Sequence, residues 1–176
     1  MQPYLERALF VVGPQNSGKS KNLRALFLDR RLGSDGTIPD KSKLIDSYYI
    51  SNKRCLYLRL TSPHEANESP EKFFDKTRSK MWPGRWCFAG PLQPNAYNQM
   101  PDVVSTIKLF KNEFNPERIR VIFLSPTWEN TMLHEYSMGR DLPSELLKIE
   151  TVEVALIDAR YRENNGLFLA DFFDFS

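Results

Sequence analysis

The stretch that most constrains this chain is ALFVVGPQNSGKSKNLRALF, residues 8–27. Its first five residues are apolar and run directly into Gly13, which is typical of a short strand buried on both faces. Apolar residues then recur at helical spacing from Ser20 to Leu32, and Gly33 is a natural helix end. The chain is therefore predicted to begin with a strand, a glycine-rich loop and a helix.

The loop of this unit matches the phosphate-binding motif G-x-x-x-x-G-K-[ST]. The matching residues are Gly13, Pro14, Gln15, Asn16, Ser17, Gly18, Lys19 and Ser20. Glycines let the backbone wrap around a phosphate with its N–H groups inward, beside the positive end of the following helix. We expect Lys19 to reach the β- and γ-phosphates of a nucleoside triphosphate and the Ser20 hydroxyl to bind Mg²⁺. Because the motif follows a strand and precedes a helix, it predicts nucleotide binding rather than a chance match.

Further apolar runs alternate with helical patterns along the rest of the chain. The strand candidates are residues 44–51, 54–60, 85–90, 118–124 and 152–158, and the helix candidates begin at Ser69, Pro101 and about residue 128. Residues 44–51 and 54–60 form either a hairpin or two separate strands. This alternation predicts an α/β fold, a three-layer α/β/α sandwich with a mainly parallel sheet, and with the motif it resembles a P-loop NTPase. We expect one domain over 1–176, with 34–82 as an insert or mobile region.

Composition and cysteine usage narrow the choice of partners. Twenty-four Lys and Arg against 22 Asp and Glu give a net charge of +2, so nucleic acid is not indicated as a partner. Cys55 and Cys87 lack the spacing of a metal site and are predicted to be buried thiols in strands. No apolar run is long enough to span a membrane, so we expect no membrane partner and a cytoplasmic location.

Two residues outside the motif are candidates for the chemistry. Asp158 ends the apolar run VALID, the pattern of a strand-end acid that supports Mg²⁺, although it could equally cap a turn. Arg140 follows the end of a predicted helix and is the candidate cation for stabilising a transferring phosphoryl group. A solvated surface arginine is the alternative for that residue. The run RWCFAG, another place for a strand-end acid, is predicted to end in Ala89-Gly90 instead.

The second half of the chain resembles the adenylate-kinase-like nucleoside monophosphate kinases. The residues that carry this resemblance are Ala89-Gly90-Pro91-Leu92-Gln93, Ser125-Pro126, Gly139-Arg140 and Ile157-Asp158. The family has Asp and Arg at the positions of Ala89 and Gln93, where they help to arrange magnesium and the acceptor nucleotide. The resemblance therefore implies a degenerate relative or a kinase with a different acceptor, rather than an ordinary monophosphate kinase.

These patterns predict a phosphotransferase that binds ATP or another nucleoside triphosphate with Mg²⁺ and transfers the γ-phosphoryl group to a small, nucleotide-like acceptor. The alternative is an ATP-hydrolysing or nucleotide-switched subunit that acts on a protein partner. The aromatic tail favours this alternative if it is a binding patch, although docking on the core is the simpler expectation; its residues are Phe168, Phe172 and Phe175. His64 and Glu65 are expected in an exposed loop, with orientation of a water or an acceptor hydroxyl as their functional alternative. Each tryptophan either packs in the core or stacks on a base.

Overall fold

The computed structural model describes residues 2–175 and contains a six-stranded sheet with helices on both faces. The strands are β1 (Pro3–Val12), β2 (Ser47–Ser51), β3 (Arg54–Leu58), β4 (Gly84–Leu92), β5 (Arg118–Leu124) and β6 (Val152–Ile157). Their order in the sheet is β2-β3-β4-β1-β5-β6. Every neighbouring pair is parallel except β2 and β3, which form an antiparallel hairpin. The prediction of an α/β fold with a mainly parallel sheet is confirmed, and the hairpin alternative for residues 44–60 is correct.

Six α-helices connect or flank these strands within the described residues. They are α1 (Lys19–Arg24), α2 (Pro70–Ser79), α3 (Val103–Phe114), α4 (Leu133–Tyr136), α5 (Leu142–Leu147) and α6 (Arg162–Ala170). The predicted start of α2 is confirmed, because Ser69 is its N-cap and the Ser69 hydroxyl accepts a hydrogen bond from the Lys72 N–H. Asp102 caps α3 in the same way through the Ser105 N–H. Segment 34–82 contributes β2, β3 and α2 to this architecture.

Two predicted helices are interrupted. The helix expected from Ser20 to Leu32 is α1 followed by two short 3-10 turns. Asp29 separates the turns, because its backbone is extended and its carboxylate accepts a hydrogen bond from the Arg31 N–H. Gly33 ends the second turn in a left-handed conformation, as predicted.

The prediction of a helix over 128–139 is also wrong for most of these residues. Residues 127–131 form a closed turn instead, in which the Thr127 N–H donates to the Thr131 carbonyl. Only the four residues of α4 are helical there, and Met138 and Gly139 then adopt positive φ angles. Sequence analysis missed α5, although Asp141 caps it and a proline stands in its first turn.

Two hydrophobic cores lie on opposite faces of the sheet. Side chains of β1 alternate between them, with Phe10 on the face covered by α2 and α3, and Leu9 on the face covered by α1 and α6. On the first face Phe10, Phe73 and Phe110 form part of an aromatic cluster with ring centroids 5.0–5.9 Å apart. Cys55 and Cys87 are buried free thiols in β3 and β4, as predicted.

Strand β4 is longer than predicted. It does not end at Ala89-Gly90 but continues to Leu92, and Ala89 is fully buried between its neighbours Leu9 and Leu58. The residue level with Val12, the end of β1, is therefore Leu92 rather than Ala89. Ala89 consequently does not lie at the carboxyl edge of the sheet, so the lack of an acidic residue at this position does not affect that edge.

The aromatic tail belongs mainly to the core. Phe172 is buried and Phe175 packs against the same core cluster, whereas Phe168 on α6 is partly exposed. The Phe172 carbonyl accepts a hydrogen bond of 2.6 Å from Arg7. Docking on the core, the simpler expectation for the tail, is thus confirmed for Phe172 and Phe175, whereas Phe168 remains exposed. No helix within residues 2–175 has the length and apolar character needed to cross a membrane.

Gly166 brings α6 against the turn that follows α1. A Cβ atom at this position would lie 2.1 Å from the Ala25 carbonyl oxygen, so the two backbones pack too closely for any side chain. We expect Gly166→Ala to lower the free energy of unfolding by about 2 kcal/mol or more, because overpacking outweighs the better helix propensity of alanine. Urea unfolding measures this change. Asn164→Ala, an exposed substitution two residues earlier in α6, should change stability little, and equal effects of the two substitutions would contradict the packing argument.

Candidate functional site

The glycine-rich loop (residues 13–18) lies where two neighbouring strands end and their connections diverge. From β1 the chain passes to the β2–β3 hairpin on one side of the sheet, and from β5 it passes to β6 on the other. The Gly13 N–H donates to the Leu92 carbonyl at the end of β4, and the Trp128 N–H, from the turn after β5, donates to the Ser17 carbonyl. Crevices of this kind, at the carboxyl ends of parallel strands, are the usual ligand sites of open α/β sheets.

The two glycines of the motif are required by the geometry of the loop. A Cβ atom on Gly13 would lie 2.4 Å from the Ser17 Oγ atom and 3.0 Å from the Ser17 Cβ atom, so Ser17 would have to shift to admit a larger residue. Gly18 has a φ of +101°, which L-residues with a side chain rarely adopt. The Ser17 Oγ atom is itself buried without a hydrogen-bond partner among the described residues.

Lys19 is turned into this loop rather than toward solvent. Its side chain is 5% exposed, and its Nζ atom donates to the carbonyls of Gly13 at 2.9 Å and Pro14 at 2.7 Å. The Glu65 carboxylate lies 3.6 Å from the same Nζ atom. Burial lowers the pKa of the Lys19 ammonium, and the neighbouring Glu65 carboxylate opposes that shift. The structure thus places a buried cation at the centre of the loop.

Glu65 reaches Lys19 because His64 anchors the segment that follows β3. His64 is fully buried, contrary to the expectation of an exposed loop residue. Its Nδ1 atom accepts a hydrogen bond from the Gln93 N–H at 3.4 Å, so its Nε2 atom donates to the Pro101 carbonyl at 2.8 Å. The ring is therefore neutral, in agreement with burial lowering its pKa. Its role is to position the segment, while the adjacent Glu65 carboxylate faces the loop.

A cavity of about 400 Å³ adjoins the loop. Its lining combines backbone and side chains of the motif with cations, carboxylates and one aromatic ring from distant segments. The lining residues are Asn16, Ser17, Gly18, Lys19, Ser20, Lys21, Lys41, Leu60, Thr61, Glu65, Trp128 and Glu129. Three lysines face two glutamates there, so the cavity is suited to an anionic ligand that carries a divalent cation.

A second pocket of about 430 Å³ shares a wall with this cavity. The shared residues are Lys41, Leu60 and Thr61. Four basic side chains line the second pocket together with the Asp46 carboxylate; they are Lys41, Arg59, Lys76 and Lys80. Asp46 pairs with Lys80 at 2.5 Å, and Arg59 pairs with the buried Glu68 at 3.0 Å. Lys76 pairs with Glu68 as well, so three of the four cations already have carboxylate partners. The pocket lies directly beside the motif loop.

Two predicted site residues have their contacts elsewhere. Asp158 follows β6 and lies outside the cavity lining; its carboxylate pairs with Arg160 at 2.6 Å, which lowers the pKa of Asp158. Arg140 pairs with Glu145 at 2.7 Å and with Asp102 at 3.4 Å, and it is also outside the cavity lining. Ser20 is the one predicted metal ligand that lines the cavity.

The structure adds Glu65 and Trp128 to the site that the motif defines. Trp128 is 44% exposed at the cavity and outside both cores, whereas Trp86 is fully buried. Among residues 2–175 no group of three or more His, Cys, Asp and Glu side chains is arranged to hold a metal ion by itself.

Comparison of the chain with protein-family models, with curated proteins and with solved structures finds no match.

Proposed function

We propose that this protein is a P-loop phosphotransferase, which binds a nucleoside triphosphate with Mg²⁺ at residues 13–20 and transfers its γ-phosphoryl group to a small anionic acceptor. The observation that carries the proposal is the position of Lys19. Its ammonium is buried in the curve of a glycine-rich loop, at the carboxyl edge of a parallel sheet and beside a cavity of about 400 Å³. A buried ammonium group is stabilised more by hydrogen bonds to a charged phosphate than by hydrogen bonds to two neutral carbonyl oxygens.

The donor set at the cavity suits Mg²⁺ bound to a triphosphate. Mg²⁺ takes oxygen ligands, keeps several waters and typically uses only one or two protein ligands besides phosphate oxygens. The Ser20 hydroxyl lines the cavity and supplies one such oxygen. Bound there, Mg²⁺ would neutralise charge on the β- and γ-phosphates. Asp158 remains a candidate ligand only if its pair with Arg160 opens.

The residues of this chain contribute position and charge. Lys19 would hold the γ-phosphate, and the N–H groups of the glycine-rich loop would surround the β-phosphate. Glu65 would exchange its contact with the Lys19 ammonium for one with the acceptor hydroxyl or a water. Arg140 would reach a transferring phosphoryl group only by leaving Glu145 and Asp102, so it is the weakest of the predicted assignments.

The basic pocket beside the cavity supports transfer over hydrolysis. Lys41, Leu60 and Thr61 line both spaces, so an acceptor bound in the second pocket would lie next to the triphosphate in the first. The four basic side chains favour an acceptor with a phosphate or carboxylate group, which would compete with the carboxylates that already pair three of them. ATP hydrolysis is the second candidate function, and the Glu65 carboxylate favours it because the same group could orient a water.

The fate of the γ-phosphoryl group tests this proposal. Protein incubated with Mg²⁺ and γ-labelled ATP is expected to transfer label to at least one member of a panel of nucleoside monophosphates, nucleosides, small phosphorylated alcohols and carboxylates. Glu65→Gln, which keeps the shape of the side chain, should still bind ATP but should transfer label at least about tenfold more slowly. Free phosphate without a labelled acceptor would support hydrolysis instead, and intact ATP throughout would contradict both functions.

A further inference from the structure

Trp128 has an environment that is unusual for a tryptophan. Its ring is 44% exposed in a cavity that is otherwise lined mainly by polar and charged residues. The other two tryptophans contact each other, with ring centroids 4.5 Å apart, and lie outside this cavity. The Lys21 ammonium lies 4.3 Å from the Trp128 ring centroid, so the face of the ring is accessible to a charged group and is not covered by the core.

The turn that carries Trp128 is held firmly against the motif. The Thr131 N–H donates to the Thr127 Oγ1 atom at 3.0 Å, and the Asn130 N–H donates to the Thr127 carbonyl at 2.9 Å. The Trp128 N–H then donates to the Ser17 carbonyl at 2.9 Å. The ring therefore has a fixed position relative to the glycine-rich loop, which limits the entropy lost when a ligand stacks on it.

The order of residues along the motif indicates that the Trp128 ring lies toward the nucleoside end of a bound triphosphate. Lys19 and Ser20 lie at the part of the cavity assigned to the terminal phosphates and the metal. Lys21 follows them directly, and its side chain ends on the Trp128 ring. A triphosphate anchored at Lys19 would therefore extend its nucleoside end past Ser20 and toward Trp128 within the same cavity.

We infer that Trp128 is the stacking platform for the base of the nucleoside triphosphate, an inference that rests on the proposed function. Aromatic rings stack on the π-face that every base presents, and Trp offers the largest such surface. Stacking of this kind favours purines, which have the larger rings, and discriminates weakly among them. The base would displace the Lys21 ammonium from the ring.

Comparison of two ligands separates the stacking role from phosphate binding. Dissociation constants are measured by calorimetry for ATP and for inorganic tripolyphosphate, both with Mg²⁺. Trp128→Ala is expected to weaken ATP binding about tenfold or more and to leave tripolyphosphate binding unchanged, because only ATP has a base. Trp128→Phe should recover most of the ATP affinity. Trp82→Ala, a partly exposed tryptophan outside the cavity, is the matched control and should affect neither ligand.

Each result decides between the two proposals. The stacking role would be wrong if Trp128→Ala weakened the binding of both ligands equally or did not weaken the binding of ATP. In either case, binding of tripolyphosphate to the unaltered protein would still support the phosphate site. If the unaltered protein bound neither ligand, the phosphate site and the stacking platform would both be wrong. With GTP, CTP and UTP added, purine nucleotides should bind more tightly, and Trp128→Ala should remove that preference.

Discussion

Replacing Lys19 by alanine is expected to weaken binding of Mg²⁺-ATP about 100-fold or more and to abolish measurable transfer of the γ-phosphoryl group. The side chain is buried in the loop, and its Nζ atom is the cation nearest to the predicted phosphate position. A charge-assisted hydrogen bond to phosphate is worth about 3 kcal/mol in such a place, which corresponds to about 100-fold in affinity. Loss of the same charge from the transition state adds a further factor of about 100 in rate.

The Lys19 experiment is controlled for net charge and for folding. Lys108→Ala removes one positive charge from an exposed position on α3 and should leave ATP binding unchanged. Lys19→Met retains an unbranched side chain in the loop, so circular dichroism and thermal unfolding of this variant separate loss of charge from loss of packing. ATP affinity that fell equally in Lys19→Ala and Lys108→Ala would contradict the site.

The motif could be predicted from sequence because its information is local. Eight consecutive residues specify the loop, and the positive φ of Gly18 is a property of that residue and its neighbours. Strands β5 and β6 were also predicted from their apolar runs, and the near-continuous run of β5 is typical of a parallel strand covered on both faces. Their order in the sheet depends on contacts between distant segments and could not be obtained from these patterns.

The rest of the site depends on residues that are far apart in the chain. Glu65 contacts Lys19 because a buried histidine, His64, bonds to Gln93 and Pro101, and no spacing in the sequence reports those bonds. The polar segment around His64 resembles an exposed loop by composition alone. Trp128 was ambiguous for the same reason, because composition and spacing do not distinguish a buried tryptophan from one that faces a cavity. Both assignments needed the tertiary structure.

An ion-pair cluster at the opposite, amino-terminal edge of the sheet was not predicted at all. Glu6 lies at an irregularity in β1 between Leu5 and Arg7, and it is 4% exposed. Arg54, 2% exposed, donates to both Glu6 carboxylate oxygens at 3.1 Å. Arg85 binds the same carboxylate at 2.9 Å, and Arg54 also donates to the Phe173 carbonyl at 2.7 Å. One carboxylate thus links three strands to the carboxyl-terminal segment.

Glu6→Gln is expected to lower the free energy of unfolding by about 3–5 kcal/mol. The amide keeps the size of the side chain but removes its charge, so the buried Arg54 guanidinium keeps its carbonyl partner but loses the negative charge that neutralises it. Urea unfolding measures the loss, and Glu117→Gln, an exposed carboxylate that accepts a hydrogen bond from Tyr4, should change stability by less than about 0.5 kcal/mol.

A double variant distinguishes an unpaired buried charge from a general defect of the strand. Arg54→Met added to Glu6→Gln removes the orphaned cation, and it should recover part of the lost stability because apolar groups of similar length replace buried ion pairs at little cost. If adding Arg54→Met to Glu6→Gln lowered the stability by as much as Arg54→Met does in the unaltered protein, the two effects would be additive. The two side chains would then be independent. Because the cluster lies at the opposite edge of the sheet from Lys19, affinity for Mg²⁺-ATP measured well below the unfolding transition should be unchanged in every folded member of the series.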